Sequence, residues 1–148
     1  LNRVKKHLSD EEALAKLQHY CAYQDRCHAQ VRSKLLDLEI YGKRLEQIIS
    51  RLIQDNFLNE ERFACSYARG KFRFKKWGRI KIKQKLSALH ISEYCIKKGM
   101  QEIEEEAYLI TLSGLLKQKR KTLKGLKDFE ANQRCAAYVI RKGYEPEL

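Results

Sequence analysis

The feature that limits this chain most is its shortage of turn formers. A single proline stands at position 146, and glycine occurs seven times in 148 residues. Sheets need frequent reversals, and tight reversals draw on Gly and Pro for their backbone angles. An all-β fold and a Gly-rich nucleotide-binding fold are therefore disfavoured, and an all-α fold of helices joined by short links is expected. Apolar residues make up 43% of the chain, too many for disorder despite a formal net charge of +12.

Eight helices are legible. Ser9 followed by Glu12 forms a capping box that opens the first, over about 10–24, with Leu14, Leu17 and Cys21 inward. A second runs over about 28–38 on Val31, Leu35 and Leu38, and a third over about 43–55 on Leu45, Ile48, Ile49 and Leu52. Asn59 caps a fourth, reaching to about 76, with Glu60 and Glu61 in its first turn. Gly78 starts a fifth, ending near Leu89, and Ser92 caps a sixth. The seventh covers about 104–123 and the eighth about 129–142, stopped by Gly143. Phe72–Lys75 and Ile80–Lys83 alternate apolar and basic residues as strands do. Their long surroundings without turn residues make them helical.

The helices repeat. Val31, Leu35, Leu38 and Ile40 align with Ile82, Leu86, Leu89 and Ile91 at an offset of 51, and with Cys135, Val139, Lys142 and Tyr144 after a further 53. Each copy places an apolar pair four residues apart before a short turn and then another apolar residue. The expected organisation is a tail over 1–8 and three-helix repeats over 9–58, 59–103 and 104–148, too small to be robust singly and stabilised by stacking. The pattern runs out where a ninth helix is due, so the third repeat is expected to be incomplete. With Leu1 rather than Met at its start, the chain is expected to be a fragment or a trimmed form.

The positive charge is unevenly placed. No Asp or Glu occurs from Arg62 to Ser92, a stretch that holds ten Lys or Arg. Helical spacing puts Phe63, Tyr67, Gly70 and Phe74 on one face of the fourth helix, expected to be core. Arg62, Arg69, Arg73 and Lys76 fall on a neighbouring face. Arg79, Lys81, Lys83 and Lys85 flank the buried face of the fifth helix. The two helices would present cations with no acids to neutralise them, a surface suited to a phosphate backbone or to an acidic protein groove. Trp77, between them, is either core or a stacking platform for a base. A second acid-free stretch carries Lys117, Arg120, Lys121 and Lys124.

One run resembles a known family. Phe57-Leu58-Asn59-Glu60-Glu61-Arg62-Phe63-Ala64, then Tyr67, Trp77-Gly78-Arg79-Ile80, Leu86 and Ile91 is similar to the middle repeat of RecX regulatory proteins, and Arg141-Lys142-Gly143-Tyr144 fits the third. The positions usually held by Gly in the first two repeats are Glu39 and His90 here. The resemblance covers about residues 9–148. It implies tandem three-helix repeats in an elongated, curved molecule. It also implies a non-enzymatic regulator that binds the RecA nucleoprotein filament and suppresses its ATPase, recombinase and strand-exchange activity in DNA repair and recombination. Some members bind single- or double-stranded DNA directly. The alternative, carried by the basic stretch alone, is a stand-alone helical nucleic-acid-binding module without a recombinase partner.

Enzymatic chemistry finds no footing. No phosphate loop, nucleophile elbow or zinc-protease motif occurs. Cys21 and Cys27 near His19 and His28 match no usual zinc spacing. The five cysteines are expected to be reduced, metal-free thiols that serve as small buried core residues. No cofactor and no metal are expected. With no apolar run long enough for a bilayer and no signal-peptide pattern, a cytoplasmic monomer without a membrane partner is expected.

Overall fold

A computed structural model describes residues 7–148. Among the described residues there are eight helices and no strand: α1 Asp10–Tyr23, α2 His28–Asp37, α3 Gly42–Gln54, α4 Glu60–Lys75, α5 Arg79–Ala88, α6 Glu93–Met100, α7 Glu105–Lys121 and α8 Asp128–Arg141. The two alternating segments lie inside α4 and α5. In α5 the deciding pair is Ile82 and Leu86, buried four apart, while Ile80 faces solvent. The capping box of α1 is reciprocal: Glu12 N–H donates to Ser9 Oγ at 3.1 Å and Ser9 N–H to Glu12 Oε1 at 3.3 Å. The inward residues of α1 are Ala13, Leu17 and Cys21, with Leu14 only partly buried at the edge of that face.

The chain divides into two compact units, Leu1–Phe63 and Ala64–Leu148. In the first, α1 packs on α2 and α3 around Leu17, Val31, Leu35, Ile40, Leu52 and Leu58, all at most 1% exposed. Arg44 ties α3 to the start of α1, through Asp10 at 2.6 Å and the Leu8 carbonyl at 2.8 Å. In the second unit, Ala64, Ala68, Ile82, Leu86, Ile91 and Ile103 are buried, and α7 packs on α8 around Tyr108, Leu112, Leu115, Ala131 and Val139. Gly99 of α6 lies so close to α4 that a Cβ there would be 2.8 Å from the Ala64 carbonyl oxygen.

The repeat read in the sequence recurs in the backbone. α2, α5 and α8 all end in the same turn. Ile40 N–H donates to Leu35 O at 3.0 Å, Ile91 to Leu86 O at 3.1 Å and Tyr144 to Val139 O at 3.1 Å. The residue before each donor is left-handed: Glu39 at φ 60°, His90 at 61° and Gly143 at 102°. This is the Schellman arrangement, which satisfies carbonyls that a helix end leaves without partners. Glu39 and His90 adopt it without glycine's freedom, because the buried residues on either side fix the reversal. The aligned positions match in burial too: Val31, Leu35 and Ile40, then Ile82, Leu86 and Ile91, then Cys135, Val139 and Tyr144 are all buried.

All five cysteines are thiols, Cys21, Cys27, Cys95 and Cys135 buried and Cys65 half-buried. Burial pushes the Cys21 and Cys27 thiols above their usual range. No helix among the described residues is long and apolar enough to cross a membrane.

Candidate nucleic-acid interface

The candidate interface is built on α4, the three-residue link Lys76-Trp77-Gly78 and α5. Asn59 caps α4, its Oδ1 accepting from Arg62 N–H at 2.9 Å. The buried face of α4 is Phe63, Ala64 and Ala68, continued by half-buried Phe72, whose ring centroid lies 5.8 Å from that of Tyr108. The expected core face is thus corrected at its far end. Phe63 is inside, Tyr67 and Gly70 are half-buried, and Phe74 is 81% exposed. The spacing 64, 68, 72 carries the contact round the helix and away from Phe74.

The link is held by the turn after α8. Gly78 N–H donates to Lys142 O at 2.7 Å and Ile80 N–H to Gly143 O at 2.9 Å. Tyr144 Oη donates to Lys76 O at 3.0 Å, and Lys142 Nζ to Lys75 O at 3.2 Å. Tyr108 stacks on Tyr144 with centroids 4.9 Å apart, donates to Glu145 Oε1 at 2.8 Å and accepts from Arg79 N–H at 3.0 Å. Burial raises both phenols, Tyr144 to about 12, and the Glu145 carboxylate pushes in the same direction. Sequence reading passed over this clamp. Its one visible trace was Gly78 and Gly143, each in a turn.

The expectation that no acid neutralises the stripe is corrected at three positions. Arg62 pairs with Asp25 at 2.8 Å and donates to the Asn56 and Phe57 carbonyls. Arg69 pairs with Glu102 at 3.3 Å. Arg79 pairs with Glu105 and, at 3.2 Å, with Glu145, its guanidinium 3.9 Å from the Tyr108 ring centroid. A run without acids in sequence still folds against acids from elsewhere in the chain. Arg73, Lys76, Lys83 and Lys85 are exposed and stand outside every ion pair found among the described residues. Lys75, which the sequence reading left out of the stripe, joins them. Lys81 is half-buried, its Nζ 4.5 Å from the Trp77 ring centroid, and Lys71 Nζ lies 5.1 Å from the same ring. Half-buried Trp77 thus already serves as a platform for two ammonium groups.

The second basic patch spans the end of α7 and the turn after it. Arg120 pairs with Asp128, while Lys117, Lys121 and Lys124 are exposed. Lys117, Arg120 and Lys121 rim a groove of about 720 Å³ whose walls include Leu112, Leu116 and Val139.

Fold and site define a class: an all-helical protein of three-helix repeats that carries exposed cations on a clamped helix pair. The RecX second three-helix domain matches residues 59–100, the segment that holds α4, α5 and α6. Regulatory protein RecX of Lactococcus lactis subsp. cremoris (strain SK11) is 32% identical over 118 residues, 74% of this chain and 44% of that protein. Regulatory protein RecX of Bacillus cereus (strain B4264) is 22% identical over 129 residues, 87% of this chain and 48% of that protein. The crystal structure of a regulatory protein RecX superposes with a TM-score of 0.84 at 19% identity, over 92% of this chain and 68% of that one. RecX from Lactobacillus salivarius gives 0.83 at 20%, over 92% and 88%. The domain match, the relatives and the solved structures all support the RecX family for this chain. The chain spans about half the length of the curated relatives it matches.

Proposed function

We propose that this chain is a non-enzymatic regulator that binds the RecA–DNA filament and suppresses its ATPase and strand exchange, acting as a cytoplasmic monomer built from three-helix units over 9–58, 59–103 and 104–148. The observation that carries this reading is the group Arg73, Lys75, Lys76, Lys83 and Lys85. These exposed cations lie on two helices whose link is fixed by the turn after α8, inside the segment matching the RecX domain. Repulsion among crowded cations opposes folding, so their retention fits a polyanionic partner that relieves it. The relatives' name, regulatory protein, supports a binding role over a catalytic one. Lys117, Lys121 and Lys124 supply a second contact of the same sign, while Arg62, Arg69 and Arg79 serve the fold.

The test is RecA ATP hydrolysis on single-stranded DNA, with DNA in large excess so that competition for free strand cannot lower the rate. Suppression that persists under excess DNA is the expected result. Suppression that vanishes as DNA is added would point to a stand-alone nucleic-acid-binding module.

A further inference from the structure

The first unit carries a basic, aromatic cleft that the filament reading does not use. Lys16, His19, Tyr20 and Tyr23 follow one another on one face of α1 at spacings of three, one and three. Lys34 faces them from α2, Arg26 comes from the link between the helices, and the cleft they line has a volume of about 510 Å³. That is the size of a site for a small organic ligand. No carboxylate lines it. Tyr20 is already covered, by the Arg26 guanidinium at 3.8 Å and Lys34 Nζ at 5.7 Å from its ring centroid. Arg26 Nε donates to the Tyr20 carbonyl at 3.0 Å, which offsets the negative end of α1 beside the cleft. Tyr23 is different: at 79% it is among the most exposed large side chains, and its ring takes part in no ring contact or cation–π pair found among the described residues.

We propose that this cleft is a second, separate site that seats one nucleotide of a single strand, with the base on the Tyr23 ring and the phosphate against Lys16, Lys34 and Arg26. Cations alone would suit any polyanion. The open ring among them selects a ligand with a flat face next to its negative charge. A single strand has that pairing. A duplex hides its base faces in the stack, and an acidic peptide has charge without a flat face.

The test uses the intact chain and fluorescein-labelled oligothymidylate, read by anisotropy, beside a duplex of equal length. Tyr23→Ala should weaken single-strand binding roughly tenfold, about 1.4 kcal/mol, while Tyr23→Phe keeps it and duplex binding is unchanged. Lys16→Ala with Lys34→Ala should lower the salt slope on the single strand by up to about 0.7, the share of the one phosphate seated there. Irradiating the unaltered chain with an oligonucleotide that carries 5-iodouracil should cross-link Tyr23, and should still do so after Arg73, Lys76 and Lys85 are reversed to Glu. The proposal is overturned by equal loss on single strand and duplex, by cross-links confined to other peptides, or by polyglutamate competing as well as oligothymidylate does.

Discussion

Gly78→Ala removes no contact and adds one methyl group, which makes it a sharp probe of the clamp. Gly78 has φ −79°, so alanine is allowed by the backbone, and the objection is one of space alone. The new Cβ would lie 2.3 Å from both C and O of Gly143 and 2.4 Å from Tyr144 N. Ordinary contacts between such atoms need roughly 1 Å more. The two turns must part by about that distance, and the hydrogen bonds at 2.7 and 2.9 Å between them then pass out of range. Losing two backbone bonds costs about 2 kcal/mol. Loosening the Tyr108–Tyr144 stack and exchanging Gly for Ala at an N-cap add about 1 kcal/mol. The expected loss is therefore about 3 kcal/mol. Urea unfolding followed by the fluorescence of Trp77, the single tryptophan and the clamp's neighbour, measures it. Gly114→Ala is the internal control. Gly114 lies within α7 and a Cβ there meets nothing within 4 Å, so the same substitution should stabilise by up to about 1 kcal/mol. A loss below 1 kcal/mol at Gly78, or equal effects at both glycines, would refute the reasoning.

Three further outcomes are expected. His90→Gly relieves a left-handed residue at φ 61° and should raise stability by about 1 kcal/mol in the same urea titration. Leu86→Ala empties a fully buried site and should cost about 2–5 kcal/mol, and Leu35→Ala, at the aligned position, should cost an amount in the same range. An unfolded tyrosine loses its proton near pH ~10, whereas folded Tyr144 keeps it to about 12. The stability this supplies is whole below the unfolded value and is lost as pH rises through the folded one. Circular dichroism at fixed urea should show a loss of helix between these pH values, smaller in Tyr144→Phe.

The helices and their repeat were legible because both rest on local patterns. Apolar residues three and four apart, Ser9 with Glu12, Asn59 and Ser92 each act within one or two turns of chain. Even Glu39 and His90, which lack glycine's freedom, sit in the expected turns, since Leu35 with Ile40 and Leu86 with Ile91 anchor them from both sides. What escaped was set by partners far along the sequence. Asp25 takes up Arg62 from 37 residues away, and Glu145 reaches Arg79 from 66. Phe74 has the spacing of a core residue, but Phe72 is the one that meets Tyr108. The cleft beside Tyr23 was invisible because Lys34 and Arg26 join Lys16 only when α2 folds back on α1.

On the proposed function, the exposed cations of α4, the link and α5 are the working surface toward the RecA–DNA filament. Its most direct test is reversal of Arg73, Lys76 and Lys85 to Glu together, each exposed and outside the core, so the fold should survive. Parent and variant are titrated into RecA turning over ATP on excess single-stranded DNA, after circular dichroism has shown both to be folded. The parent should suppress hydrolysis, and the folded variant should fail to do so at the same concentration. A folded variant that suppresses RecA as well as the parent would show that these charges are only a solvated face.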